Sequence, residues 1–213
     1  MNSKHVLAAA AVLAGLAASG SASAVSPVSY IFDQPTSCGS WCYHDPNFTK
    51  LTDGVVGNTG WAVNQGQEWD GWVFKPVVNI DFKFAGATAI QSVSIGSTQD
   101  SLGDVALASF KVYSSANGTT WTLKGTLTNP PSSANDHSST DTGTHPFYTL
   151  SGLGINDQFV RVEVDANGPW SFVDEVTFAG GGVPEPATWA LMLSGVFGLG
   201  AVARRRRAAT VAV

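Results

Sequence analysis

Residues 187–203 carry no charged side chain and are followed by four consecutive arginines, Arg204, Arg205, Arg206 and Arg207. As a helix this run would extend roughly 25 Å at about 1.5 Å per residue, the short end of what crosses a bilayer. Snorkelling of Arg204 and local thinning of the bilayer make up the difference. An arginine cluster marks the cytoplasmic side, and Trp189 at the opposite end suits the interface. Everything before Val183 is therefore expected outside the cytoplasm. The other end of the chain agrees. Lys4 and His5 precede an apolar stretch from Val6 to Ala18, and Ala22-Ser23-Ala24 is a small-x-small cleavage site, so a signal peptide over 1–24 is expected to be cut after Ala24.

At the outer edge of the apolar run stand Pro184, Glu185 and Pro186. Pro-Glu-Pro, a short span and a terminal arginine cluster, in that order, resemble a PEP-CTERM sorting signal over Val183 to about Ala208. The resemblance implies recognition by an exosortase, a membrane-embedded cysteine protease of Gram-negative bacteria. The plainer alternative is a C-terminal anchor helix that is never processed, which has no use for Pro-Glu-Pro at its edge. The order implies a Gly/Pro tether at 181–186, a transmembrane helix at 187–203 and a basic cytoplasmic tail at 204–213. It also implies a protein that is transiently membrane-anchored, then held at the cell surface or released outside the cell.

The exported part, residues 25–182, has six basic residues against fifteen acidic ones, a net charge of −9. An acidic surface without a basic patch argues against nucleic acid as a partner. Low charge with abundant Gly, Ser and Thr favours an all-β module over a helical one. Between Val77 and Phe84 the residues Val78, Ile80, Phe82 and Phe84 alternate with Asn79, Asp81 and Lys83, the period of a half-buried strand. Further strands are expected at Ala89–Ser94, Phe110–Ser114, Thr120–Leu123, Phe147–Leu150, Phe159–Val164 and Trp170–Phe178. Asn117-Gly118 reads as a type I′ hairpin turn. Residues 129–146 form a long polar loop with His137 and His145. This spacing predicts a sandwich or barrel.

Cys38 and Cys42 are expected to form a disulfide outside the cytoplasm, fixing the orientation of Trp41 between them. A metal site with His44 as third ligand is the alternative, although no fourth ligand of matching type stands nearby.

The stretch from Leu51 resembles a galactose-binding-like, discoidin (coagulation-factor type C) domain. Four sets of residues carry the likeness. They are Thr52-Asp53-Gly54 with the later Trp61; Val78-Asn79-Ile80-Asp81-Phe82; Phe110-Lys111-Val112-Tyr113-Ser114-Ser115 followed by Asn117-Gly118 and Trp121; and the closing segments Phe159–Val162 and Phe172–Val176. Phe82-Lys83 replaces the Leu-Gly of the family pattern. The resemblance implies a jelly-roll β-sandwich of about eight strands over 51–180, with 25–50 contributing an N-terminal strand and the Cys-Cys loop. It further implies glycan binding through loops at one end, where sugar C–H faces pack on aromatic rings. The exported tryptophans are Trp41, Trp61, Trp69, Trp72, Trp121 and Trp170. Trp61 and Trp121 are expected to pack internally, whereas Trp69 and Trp72, flanking Asp70-Gly71 in a glycine-rich loop, are ligand candidates together with Trp41. The family also implies a structural Ca²⁺ held by Asp53, backbone carbonyls of 56–59 and Glu175, all oxygen donors as calcium requires. The competing reading makes Asp53 a turn cap and Glu175 a solvated strand residue.

No enzyme is expected. Asp174 and Glu175 are adjacent on a strand and so point to opposite faces, and no hydrolase elbow, zinc-protease helix or phosphate loop occurs. The expected function is a non-enzymatic exported surface or matrix protein that associates with exopolysaccharide. The alternatives are a glycan-active enzyme with an unrecognised site and a ligand-free structural protein.

Overall fold

Val78, Ile80, Phe82 and Phe84 are all buried, while the residues between them are half-buried or exposed. A period-two strand buries one face in this way because successive side chains leave opposite sides of the pleat. A computed structural model of the 213-residue chain describes residues 23–40, 42–57, 61, 68–98, 107–128 and 147–180. The strands are β1 (Ala24–Val25), β2 (Ser29–Phe32), β3 (Asp70–Val73), β4 (Val77–Ser97), β5 (Leu107–Ser115), β6 (Thr122–Thr128), β7 (Phe147–Ala166) and β8 (Trp170–Ala179), with a 3-10 turn at Lys50–Thr52. All pairings are antiparallel.

Two long strands make the sandwich. The segments Val77–Phe84 and Ala89–Ser94, expected as separate strands, are one strand, β4, and Phe147–Leu150 and Phe159–Val164 likewise join in β7. The register between β4 and β7 shifts between Lys83 and Thr88 and again between Ile90 and Ser92. Such bulges let a strand bend from one layer into the other. The first half of β4 pairs with β2 and the end of β7, which continues to β5 and β6. The second half of β4 pairs with the start of β7 and with β8, which also pairs with β1 and β3. Phe82 and Phe84 from one layer meet Phe178 of the other edge-on, with centroids 4.9 and 5.2 Å apart. Ile80, Ile90, Val93, Ile95, Val112, Val160, Val162 and Val164 complete this core.

The β5–β6 hairpin exists, but its turn differs from expectation. Gly118 has φ +73° while Asn117 does not have positive φ, so the two-residue type I′ turn is absent. Instead the Asn117 carboxamide oxygen accepts the amides of Thr119 and Thr120, both at 2.9 Å, capping a longer connection. On the outer face, Arg161 grips Asp81 with two hydrogen bonds of 2.6 and 2.8 Å and lies 4.3 Å above the Trp121 ring. Among the described residues no helix is long and apolar enough to cross a membrane. The expected span at 187–203, the tail, the sorting motif and residues 1–22 of the signal peptide lie outside the described residues, as do His137 and His145.

Candidate functional site

Cys38 and Cys42 are joined as a disulfide. Their thiolates are therefore not metal ligands, and His44 Nδ1 lies 2.9 Å from Thr36 Oγ1 instead. The loop they close is docked on β3. Ser37 donates its amide to the Gly71 carbonyl (2.8 Å) and its hydroxyl accepts the Val73 amide (2.9 Å), while Tyr43 donates back to the Ser37 carbonyl (2.9 Å). Two hydrogen bonds to β3, with one more and a covalent staple inside the loop, thus fix a surface loop against a strand.

That placement corrects the assignment of Trp69 and Trp72. Both were expected on a glycine-rich loop facing a ligand, yet they are 1% and 0% exposed, on and beside β3. Trp72 meets Phe32 edge-on at 5.2 Å in the main core, and its Nε1–H donates to the Gln34 carbonyl at 3.2 Å. Trp69 belongs to a second buried cluster with Tyr43 and Phe172. The physical reason lies in Gly71, which pairs with Phe172 across the strands. A Cβ there would come within 2.3 Å of the Phe172 ring, so the glycine admits a phenyl group rather than forming a loop. Neither indole offers a face to a sugar. Trp41 lies outside the described residues.

The tryptophans that do reach the surface of this aromatic layer are Trp61 and Trp170. Both stack on Phe172, at 5.5 Å and 15° for Trp61 and at 5.3 Å and 5° for Trp170. Trp170 lines a cleft of about 420 Å³ with Ser37, Cys38, Gly39, Ser40 and Val73. A half-buried indole stacked on a parallel ring, in a cleft also lined by Ser37 and Ser40, can receive the apolar face of a ring-shaped polar ligand. Sequence reasoning did not single out Trp170, because only the β3–β8 register (Val73 beside Trp170) brings it to the disulfide loop.

A second cleft, of about 450 Å³, lies between Phe32, Asp33 and Gln34 on one side and His44, Pro46 and Phe48 on the other. Its Asp45 is committed to structure, accepting the Tyr30 hydroxyl and the amides of Thr49 (2.9 Å) and Lys50 (3.2 Å). Phe48 and Phe74 are the non-glycine residues with positive φ among those described, at 53° and 51°. Both are exposed phenylalanines, Phe48 42% and Phe74 78%. Phe48 lines the second cleft, and Phe74 directly follows Val73 of the first. Left-handed backbone costs a bulky residue about 1–2 kcal/mol, so exposed aromatic rings held this way are retained against local strain.

Asp53 and Glu175 meet at one loop. Asp53 Oδ1 accepts the Val55 amide (2.8 Å), Glu175 Oε2 accepts the Gly54 amide (3.1 Å), and Asp174 Oδ2 accepts the Gly57 amide (2.5 Å). Burial pushes the Glu175 carboxyl up to about 7, against the Gly54 hydrogen bond, and the Asp53 and Asp174 carboxylates raise it further. Every charged group acting on Glu175 is thus an anion. Among the described residues no cluster of three His, Cys, Asp or Glu side chains stands at metal-binding distance, and residues 58–60 of the loop lie outside them. Backbone amides of the loop occupy an oxygen of each of the Asp53, Asp174 and Glu175 carboxylates, and the Asp53–Val55 contact is that of a turn cap.

Residues 182–207 match the PEP-CTERM protein-sorting motif. No curated protein is similar to the chain at a significant level. Among solved structures, the C-terminal domain of a chitobiase from Bacteroides fragilis matches with a TM-score of 0.52 at 10% identity, over 76% of this chain and 99% of that one. The CBM32-1, CBM32-2 and M60 catalytic domains of Clostridium perfringens ZmpB match with a TM-score of 0.50 at 15% identity, over 74% of this chain and 15% of that one. A truncated AlyQ with CBM32 and alginate lyase domains matches at 14% identity with a TM-score of 0.49, over 78% of this chain. This chain spans 35% of the AlyQ structure's length. At such identities the likeness concerns the fold alone, an all-β sandwich.

Proposed function

We propose that this chain is an exported, non-catalytic surface module that binds carbohydrate in the Trp170 cleft and is sorted by an exosortase through Pro184, Glu185 and Pro186. The observation that carries the binding half is the Trp170 indole, stacked on Phe172 and sharing its cleft with Ser37 and Ser40. A preformed aromatic platform loses little freedom on binding. The motif at 182–207 supports the sorting half, and the polymer the motif suggests is the exopolysaccharide of the host cell.

A Ca²⁺ ion held by Asp53 and Glu175 belongs to the same reading. It would supply the positive charge that the loop lacks, so that Glu175 stays ionised.

The test is retention of the exported protein on host exopolysaccharide, for the wild type and Trp170→Ala. Loss of a central aromatic anchor weakens binding at least about tenfold, while Trp170→Phe retains part of it. Equal retention of all three excludes this cleft, and release of soluble sugars by the wild type makes the module an enzyme. C-terminal peptide mapping in cells with and without exosortase tests the sorting half. An Arg204–Arg207 tail that persists equally in both makes the chain a plain membrane anchor.

A further inference from the structure

Lys50 and Asp70 play no part in the reading above. Lys50 opens the 3-10 turn and Asp70 opens β3. Lys50 Nζ donates to the Trp69 carbonyl at 3.0 Å and stands 3.6 Å from Asp70 Oδ1, beyond hydrogen-bond length. The Asp70 side chain is completely buried, and neither of its oxygens has a hydrogen-bond partner among the described residues. Ordinary buried carboxylates are satisfied by donors, so such a group calls for a physical account.

As an ion pair the site holds a completely buried carboxylate with no hydrogen bond beside a lysine that is one-fifth exposed. A desolvated carboxylate with no donor at hydrogen-bond length recovers little of its hydration energy. Transfer of one proton from the ammonium to the carboxylate leaves a neutral amine beside a neutral acid. Burial favours that acid form, holding the Asp70 carboxyl up to about 8 against the lowering effect of Lys50, with Asp45 and Asp53 raising it further. A neutral amine fixed beside a neutral carboxylic acid is a nucleophile beside an electrophile. Lys50 Nζ stands 3.6 Å from Oδ1, the oxygen bonded to the Cγ it would attack, and reacting groups fixed side by side gain effective molarities far above any free concentration.

We propose that Lys50 and Asp70 condense into an intramolecular amide. After the proton transfer, the Nζ lone pair attacks Asp70 Cγ, the C–N bond forms, the C–OH bond breaks, and one water leaves. Ammonium plus carboxylate gives amide plus water, so no oxidant, metal or second reagent takes part. The hydrogen remaining on Nζ can still serve the Trp69 carbonyl. The product also removes the buried carboxylate charge and one of its two unpartnered oxygens. The link ties the 3-10 turn to β3 independently of the disulfide, and reductant does not open it.

Peptide mapping of the exported full chain under reducing conditions reads the bond directly. Trypsin requires a free lysine side chain, so it should fail to cut after Lys50, and the peptide carrying both residues should be lighter by one water in essentially all molecules. K50R should restore the full mass. D70N should form the same bond with loss of ammonia instead of water. Normal cutting after Lys50 with peptides at full mass in the wild type overturns the proposal and leaves an ordinary ion pair. A water loss that persists in K50R also overturns it, because Asp70-Gly71 and Asp53-Gly54 can both dehydrate through the glycine amide. The wild-type measurement decides the matter even if a variant fails to fold.

Discussion

The sandwich core and the aromatic layer beneath the disulfide loop are built on opposite plans. The core draws mainly aliphatic side chains from long strands, β4, β5, β7 and β8, in register over many residues. The layer of Tyr43, Trp69 and Phe172, flanked by Trp61 and Trp170, takes Phe172 and Trp170 from the start of β8 and its other rings from segments outside the long strands, and is held by contacts between rings. Burying aliphatic area over many partners holds a fold. Stacking a few rings behind a surface indole holds a platform. The first plan tolerates no loss, whereas the second leaves its outermost ring open to solvent for use.

Deleting from the core should therefore have the largest effect. Phe82→Ala removes a ring packed on Tyr30 and Phe178 and should cost about 3–5 kcal/mol in denaturant unfolding. A smaller loss than Trp170→Ala produces would break the comparison. The proposed Ca²⁺ site sharpens it. Gly57 lies against Trp69, where a Cβ would approach the ring to 2.9 Å, so a cation at Asp53 and Glu175 should steady the aromatic layer before the core. Added Ca²⁺ should slow hydrogen exchange at Tyr43, Trp69 and Phe172 more than at Val162 or Ile80. Its stabilisation follows mass action, because only the folded state assembles the ligands.

The pH dependence has a definite sign. Glu175 titrates at 4.5 in the absence of perturbation and is raised to about 7 in the fold. The folded, calcium-free protein thus holds a proton that the unfolded chain has released. The Glu175 contribution to stability is complete below about 4.5 and is lost as pH rises through about 7. Calcium favours the ionised form, so the rise in melting temperature it produces should be larger at pH 8 than at pH 5. Glu175→Gln should abolish that rise. A calcium response that shrinks as pH rises would refute the assignment.

The smallest expected effect lies at Phe74. Glycine removes its left-handed strain but loosens the unfolded chain. Phe74→Gly should leave stability within about 1 kcal/mol of the wild type while lowering retention on polysaccharide. A clear destabilisation would make Phe74 a structural residue.

What could be read from the residues divides along the same line. Val78, Ile80, Phe82 and Phe84 announce their strand because burial on one face imposes period two, and no distant contact is needed to see it. The joining of Ala89–Ser94 to that strand was illegible, since bulges at Lys83/Thr88 and Ile90/Ser92 interrupt the period. Asn117-Gly118 marked a hairpin but not its length, because the Asn117 side chain supplies hydrogen bonds that a tighter turn would take from backbone. Trp69, Trp72 and Trp170 are chemically alike in one dimension. Their division into buried and open depends on the β3–β8 register and on a glycine that makes room for Phe172. The pairing of Lys50 with Asp70 is likewise a contact across twenty residues with no periodic signature.

Strand β8 has Trp170 at its first position and Ala179 at its last. Ten residues at about 3.3 Å each set these ends roughly 30 Å apart. Gly180 follows directly and donates its amide to the Ser23 carbonyl, so both ends of the sandwich emerge at the pole opposite the cleft. A load applied through residue 180 enters the strand that pairs with β1, β3 and β4 and runs along it towards the stacked indole. The module is in effect a short boom. Whatever grips its base, the Trp170 platform is carried at the tip, and a pull on anything bound there would strain the sheet lengthwise in shear, the direction in which its rows of hydrogen bonds yield together rather than one at a time.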